Sequence, residues 1–144
     1  MGLIGNFEHK LDAKGRLVIP ACFREELGSR FVATTTDHKC IKLYSECNWE
    51  NDFLPRLHEF SIQEEDGDEI QRFILANSYK QEIDSMGRTL IPEKLRLAVG
   101  ITGEVCINGN NKKLEIWDSA RWKELMRDSE KKHISNINKL IPGL

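Results

Sequence analysis

The chain has 144 residues, 31% of them charged and 40% hydrophobic, with a formal net charge of −2 and an isoelectric point near 6.1. These values fit one globular domain or two interlocked halves. They exclude a bilayer-spanning chain, because no apolar run approaches the ~18 residues that crossing requires. They also argue against a uniformly basic nucleic-acid binder, so any such role needs positive charge concentrated locally and repeated by oligomerisation.

In chain order, Asn6 stands where an acylation signal beginning at Met1-Gly2 would carry serine or threonine, so lipidation is not expected. No signal-peptide pattern opens the chain, which makes a cytoplasmic location the expectation. Phe7–Leu11 reads as a strand running into Asp12-Ala13-Lys14-Gly15. Aspartate at the first position and glycine at the fourth is a type I turn signature. The carboxylate can accept from amides two residues on, and glycine supplies the positive φ that lets the chain re-enter a strand. Arg16–Ile19 leads out, and the unbroken apolar run Leu17-Val18-Ile19 suits a strand buried on both faces.

Pro20 can open a helix at its first position, and Gly28 is its expected left-handed cap. Phe23 and Leu27 lie four apart and share a core-facing side, leaving Arg24 pointing outward. Strands follow at Phe31–Thr35 and Cys40–Tyr44. Ser45 is then a candidate N-cap for a helix carrying Trp49, Phe53 and Leu57, which Pro55 should kink or end. From Ile62 to Ala76 an acidic start, Glu64 to Glu69, precedes Ile70, Phe73 and Ile74 at helical spacing. This reads as a linker helix over 61–76 with negative charge at its positive end.

The second half repeats the first. Asp84-Ser85-Met86-Gly87-Arg88-Thr89-Leu90-Ile91-Pro92 restates Asp12 to Pro20 at an offset of 84 − 12 = 72 residues. Tyr79 and Ile83 match Phe7 and Leu11, Leu95-Arg96 matches Phe23-Arg24, and Val99-Gly100 matches Leu27-Gly28. One inserted residue moves the register to 73, where Ile116-Trp117-Asp118 meets Leu43-Tyr44-Ser45 and Trp122 meets Trp49. Each half alone, at about 70 residues, is small for a self-sufficient core, so the two should share one about a pseudo-two-fold axis. Strands are expected at Tyr79–Ile83, Arg88–Ile91, Glu104–Ile107 and Lys113–Trp117. Asn108-Gly109 should form the tight hairpin between the last two. Asp118 should cap a helix carrying Trp122 and Met126, and the tail from Lys131 is polar until Leu140-Ile141-Pro142. The domain reading is a first repeat over 1–60, the linker, and a second repeat with a C-terminal helix over 77–144.

Chemistry-bearing motifs point away from catalysis. The chain has no P-loop, nucleophile elbow or H-E-x-x-H, and the four histidines do not recur between repeats. Cys22, Cys40, Cys47 and Cys106 form no C-x-x-C pair. They read as reduced thiols filling apolar space, and His38, Cys40 and Cys47 match no zinc template. No cofactor, metal, membrane or small-molecule substrate is expected. The three tryptophans read as core or subunit-interface aromatics. Lys94 and Arg96, like Arg24, read as a solvated helix face or subunit interface.

The repeated D-x-x-G-R, each copy followed by Ile-Pro and a short Phe-Arg or Leu-Arg helix, resembles the MraZ family of bacterial transcriptional regulators over essentially the whole chain. That resemblance implies an α+β, mainly β fold. Two halves like the swapped-hairpin domain of AbrB regulators and MazE antitoxins would interlock as a double-split β-barrel. It implies closed homo-oligomeric rings, binding to repeated boxes of double-stranded promoter DNA, repression of a division and cell-wall gene cluster, and association with the nucleoid. Residue by residue it carries DNA contact onto Lys14, Gly15 and Arg16, and onto Gly87 and Arg88. The physical reading agrees for the arginines, since a guanidinium at a hairpin tip can donate two parallel bonds to guanine O6 and N7. Lys14 and Lys80 would touch phosphates, while Asp12 and Asp84 shape the turns. Met86 occupies the position of Lys14, so the second turn should hold the DNA backbone less tightly. The alternative is an antitoxin-like interaction module with AbrB-type DNA binding.

Overall fold

The computed structural model describes residues 2–144, so Met1, where the acylation reading begins, lies outside it. Eight antiparallel strands form its centre: β1 (Leu3–Lys10), β2 (Arg16–Val18), β3 (Arg30–Thr34), β4 (Ile41–Ser45), β5 (Tyr79–Glu82), β6 (Arg88–Leu90), β7 (Glu104–Asn111) and β8 (Lys113–Asp118). Six make one sheet in the order β1-β7-β8-β4-β3-β5, and β2 with β6 makes a separate two-stranded ribbon. The halves are exchanged: β1 of the first repeat pairs with β7 of the second, and β5 of the second pairs with β3 of the first.

The pseudo-two-fold axis can be located from register alone. In the ribbon Leu17 faces Thr89, with Arg16 opposite Leu90 and Val18 opposite Arg88; Leu17 and Thr89 are themselves 72 apart. In the sheet Lys42 faces Glu115, flanked by Ile41 opposite Ile116 and Leu43 opposite Leu114, again equivalent at an offset of 73. The core lies between these pairs and draws on both halves. Leu17, Ile19, Phe23, Leu27, Ile41 and Leu43 pack with Ile91, Leu95, Val99, Leu114 and Ile116. Two short helices, α1 (Ala21–Leu27) and α5 (Glu93–Val99), close it, each burying residues four apart. Pro20 and Pro92 sit at the caps, one residue before the helices begin. Gly100 is the left-handed cap, whereas Gly28 has positive φ with an extended ψ.

Between the repeats, Ser45 accepts the Asn48 amide and starts α2 (Glu46–Asn48). A π-helical turn over Trp49–Phe53 leads into α3 (Leu54–Gln63). Pro55 neither ends nor breaks this run. Proline lacks the N–H that Asn51 O would receive, and the turn widens so that Leu54 N donates to Trp49 O instead. Trp49 stacks on Phe53 along it, and Tyr44 packs against both rings at a tilt. Residues 61–76 hold the last turn of α3, a reversal at 64–66, and α4 (Gly67–Ala76). Asp118 caps α6 (Ser119–His133), and α7 (Ile137–Leu140) follows with its residues exposed.

The single linker helix expected over 61–76 is thus two helices with a reversal between them, and three further sequence expectations are corrected. Asn108-Gly109 is not the hairpin turn; β7 continues through it and reverses at Asn111-Lys112, where Asn111 takes a φ of 62°. The cause is β1, which crosses so closely that a Cβ on Gly109 would meet Ile4 N at 2.7 Å. Glycine is there for close approach and not for a turn. Leu17-Val18-Ile19 is not buried on both faces: Leu17 and Ile19 are, but Val18 is 38% exposed. Only Cys40 and Cys106 are buried; Cys22 and Cys47 are exposed. Burial pushes the Cys40 thiol up to about 12, which leaves it protonated and unreactive at neutral pH.

Candidate nucleic-acid interface

The two turns close with the same set of bonds. Asp12 Oδ1 accepts the amides of Lys14 (3.0 Å) and Arg16 (2.8 Å), and Oδ2 accepts Arg16 Nε at 2.7 Å. Asp84 accepts the amides of Met86 and Arg88 and the Arg88 Nε, all at 2.9 Å. Gly15 N and Gly87 N donate back to Asp12 O and Asp84 O at 3.0 Å, with φ of 81° and 77°. The amide of Arg16, then its guanidinium and the amide of Lys14, hold the Asp12 carboxyl below the usual range despite partial desolvation. Asp84 is lowered by Arg88 and Met86 in the same order. The aspartates are therefore charged at neutral pH and accept the amide bonds that close the turns.

Each aspartate engages its arginine through Nε. Among the described residues no partner meets the two terminal nitrogens of Arg16 or of Arg88. The carboxylate orients the guanidinium and leaves its outer edge, the edge used in bidentate recognition, available. Exposed ion pairs of this kind contribute little to stability; their effect is on orientation.

The turns are tied to each other across the axis. Ile19 N donates to Gly87 O at 2.9 Å and Ile91 N donates to Gly15 O at 3.0 Å. Arg24 and Arg96 complete the tie, and here the expectation of outward-pointing side chains fails. Arg24 Nε donates to Ile19 O at 2.7 Å, and Arg96 Nε donates to Ile91 O at 3.2 Å. Their guanidinium groups lie over the opposite turns. A Cβ on Gly15 would come within 2.9 Å of the Arg96 guanidinium, and one on Gly87 would fall still closer to that of Arg24. The signal was in the sequence: an arginine recurs at the same place in both helices, after Phe23 and after Leu95. Its direction was not legible, because the surface it covers belongs to the other repeat.

Lys14 is exposed at the first tip, and Met86 is exposed at the second. Lys80 is elsewhere. It lies on the edge strand β5 and lines a groove with Trp49, Leu54, Leu75 and, from the ribbon, Thr89 and Leu90; Lys14 does not line that groove. Glu115, buried beside the axis, is satisfied by Asn108, Asn110 and Trp117. Glu64, Glu65 and Asp66 occupy the reversal between α3 and α4, and Asp68 and Glu69 lie in the first turn of α4. Among the described residues no His, Cys, Asp or Glu group could hold a metal, and no helix is long and apolar enough to cross a membrane.

These features define a class: a tandem-repeat protein of helices and antiparallel strands, with exchanged halves and two matched Asp–Gly–Arg turns on one ribbon. Both halves match one family profile, described as "MraZ protein, putative antitoxin-like", over residues 3–73 and 74–139. The chain belongs to the MraZ family. It is 36% identical to the "Transcriptional regulator MraZ" of Caldanaerobacter subterraneus subsp. tengcongensis over 94% of this chain and 99% of that one. It is 39% identical to the protein of the same name from Thermoanaerobacter pseudethanolicus, over 89% of each chain. With its namesake in Pediococcus pentosaceus it shares 35% over 88% of each. These relatives are named as regulators of transcription and not as enzymes.

Proposed function

We propose that this chain is a sequence-specific DNA-binding regulator of transcription that reads the major groove with Arg16 and Arg88. The observation that carries this reading is the pairing of two turns whose aspartates hold the guanidinium groups by Nε and leave their outer edges open. Lys14 adds a phosphate contact at the first turn, and Gly15 and Gly87, buried beneath Arg96 and Arg24, serve by shaping the turns that present the two arginines. Lys80, away from the tips, is the weakest member of the set. The repeats, 1–60 and 77–144 joined through 61–76, are the halves of an AbrB-like double-split barrel, with the six-stranded sheet and the ribbon as its two walls.

The wider role follows from the family resemblance. The protein represses its own division and cell-wall gene cluster, acting on the nucleoid as a homo-oligomeric ring on repeated promoter boxes. A ring answers the net charge of −2, because local potential at a rim of repeated Lys14, Arg16 and Arg88 governs encounter. Avidity over several boxes then raises weak single contacts.

Fluorescence anisotropy on duplex DNA from upstream of the gene, against a scrambled duplex over a salt series, tests this. Preference for the native duplex, lost in Arg16→Ala and Arg88→Ala with the assembly intact, is the expected result. Equal binding to both duplexes by the unmodified protein contradicts it. The antitoxin-like wording of the family description favours one second reading, a protein-interaction module that also binds DNA. Size-exclusion chromatography separates the two: a ring supports the regulator, a dimer the module.

A further inference from the structure

The ribbon has an outer face that neither the turn motif nor the fold explains. Leu17 and Thr89, facing each other on the axis, point inward and are 0% and 2% exposed. Side chains alternate along a strand, so the residues flanking this pair all project from the opposite, outer side. They are Arg16 and Val18 on β2, and Arg88 and Leu90 on β6. Cross-strand register sets Arg16 beside Leu90 and Val18 beside Arg88, with Cβ atoms of such neighbours roughly 4.5–5.5 Å apart. The face is a checkerboard of two arginines and two aliphatic residues, and each arginine has an apolar neighbour contributed by the other repeat.

A single exposed aliphatic residue is ordinary. Two at pseudo-equivalent positions between the arginines are a different matter, since Val18 is 38% and Leu90 56% exposed and neither is needed to fill the core. The B-DNA major groove admits a two-stranded ribbon, and it displays one apolar group, the C5-methyl of thymine. A ribbon whose arginines meet guanine edges sets its adjacent aliphatic side chains against the neighbouring base pairs. We infer that Val18 and Leu90 are specificity-determining residues that read thymine methyl groups next to the guanines read by Arg88 and Arg16. This rests on the DNA-reading role proposed above. Leu90, the longer and more exposed, makes the larger contact.

The test removes the methyl group and nothing else. The upstream duplex is footprinted with the full-length protein, and each thymine in the protected region is replaced in turn by deoxyuridine. At one or more positions beside a protected guanine, the unmodified protein should bind about three- to tenfold more weakly, the effect of one lost methyl burial. Leu90→Ala, and Val18→Ala for its own position, should bind the thymine and uracil duplexes equally while still preferring native over scrambled DNA. Both substitutions fall on exposed side chains, and matching melting temperatures and elution volumes establish that the variants fold and assemble. The inference is overturned if uracil at every position leaves binding unchanged, the result expected if Leu90 served a protein partner. It is equally overturned if Leu90→Ala keeps the full preference for thymine. Either result with native-over-scrambled preference intact leaves the regulator reading standing; absence of that preference in the unmodified protein overturns both.

Discussion

The first turn carries Lys14 at its third position and the second carries Met86 there, although equivalent hydrogen bonds close both. Arg96 lies over the first and Arg24 over the second. The comparison separates two kinds of residue. Those that build the turn (aspartate, glycine, arginine, and the arginine of the opposite helix) are the same in both copies. Those that meet the surroundings differ: Lys14 against Met86, and Val18 against Leu90. The two turns are alike in shape and unlike in charge, so the pair presents an asymmetric surface on a symmetric frame.

The largest expected effect falls on the frame. Gly87→Ala imposes a left-handed conformation on an L side chain and drives its Cβ against Arg24. It should cost about 2–3 kcal/mol in urea denaturation. Gly15→Ala, less crowded by Arg96, should cost less; equal costs would break the distinction between the turns.

Next, the cross-axis tie can be cut from one side at a time. Arg24→Ala should speed amide hydrogen exchange at Gly87 and Arg88 while sparing Gly15, and Arg96→Ala should do the reverse. The bond lost, Arg24 Nε to Ile19 O or Arg96 Nε to Ile91 O, is one from a charged donor worth about 1.5–3 kcal/mol, and it reaches the opposite turn through the Ile19 and Ile91 amides that hold Gly87 O and Gly15 O. Loosening confined to the variant's own turn would show that the guanidinium does not support the turn across the axis.

The tip residues should change affinity without changing shape. Met86→Lys should steepen the dependence of log K on log salt by about 1, and Lys14→Met should flatten it by about the same amount. Both should leave the preference for native sequence unchanged. A change in that preference would make Lys14 a reader of bases.

The smallest effect is on pH. Asp12 and Asp84 have carboxyls lowered in the folded protein, so their contribution is present above the unfolded value of about 3.9. It is lost as pH falls through the lower folded value. Stability should be flat in this respect from pH 6 to 8, and Asp12→Asn with Asp84→Asn should flatten only the acid limb of a pH–stability curve.

Much of this was legible in the sequence, because local chemistry decided it. Asp–x–x–Gly dictates a turn whichever strands it joins, and the 72-residue offset required two equivalent units. What was not legible depends on the other half. Asn108-Gly109 reads as a hairpin until β1 is seen crossing at Gly109. Val18 reads as core because its neighbours are, yet the ribbon has one inner face and Val18 is on the other. Arg24 and Arg96 read as a solvated helix face or subunit interface because the turns they cover come from the exchanged repeat. Pro55 reads as a kink or an end, and the backbone absorbs it in a π-helical turn. Of the candidate contacts, Lys14, Gly15, Arg16, Gly87 and Arg88 fall on the two matched turns, whereas Lys80 lies on an edge strand.

The central claim is that Arg16 and Arg88 donate to guanine in the major groove. Replacing single guanines of the footprinted box by 7-deazaguanine removes N7 and leaves base pairing intact. The account predicts that replacement weakens the unmodified protein at two positions, one silenced by Arg16→Ala and the other by Arg88→Ala, each by about 1–3 kcal/mol or less. Undiminished binding at every substituted guanine, or losses that persist unchanged in both variants, would contradict it.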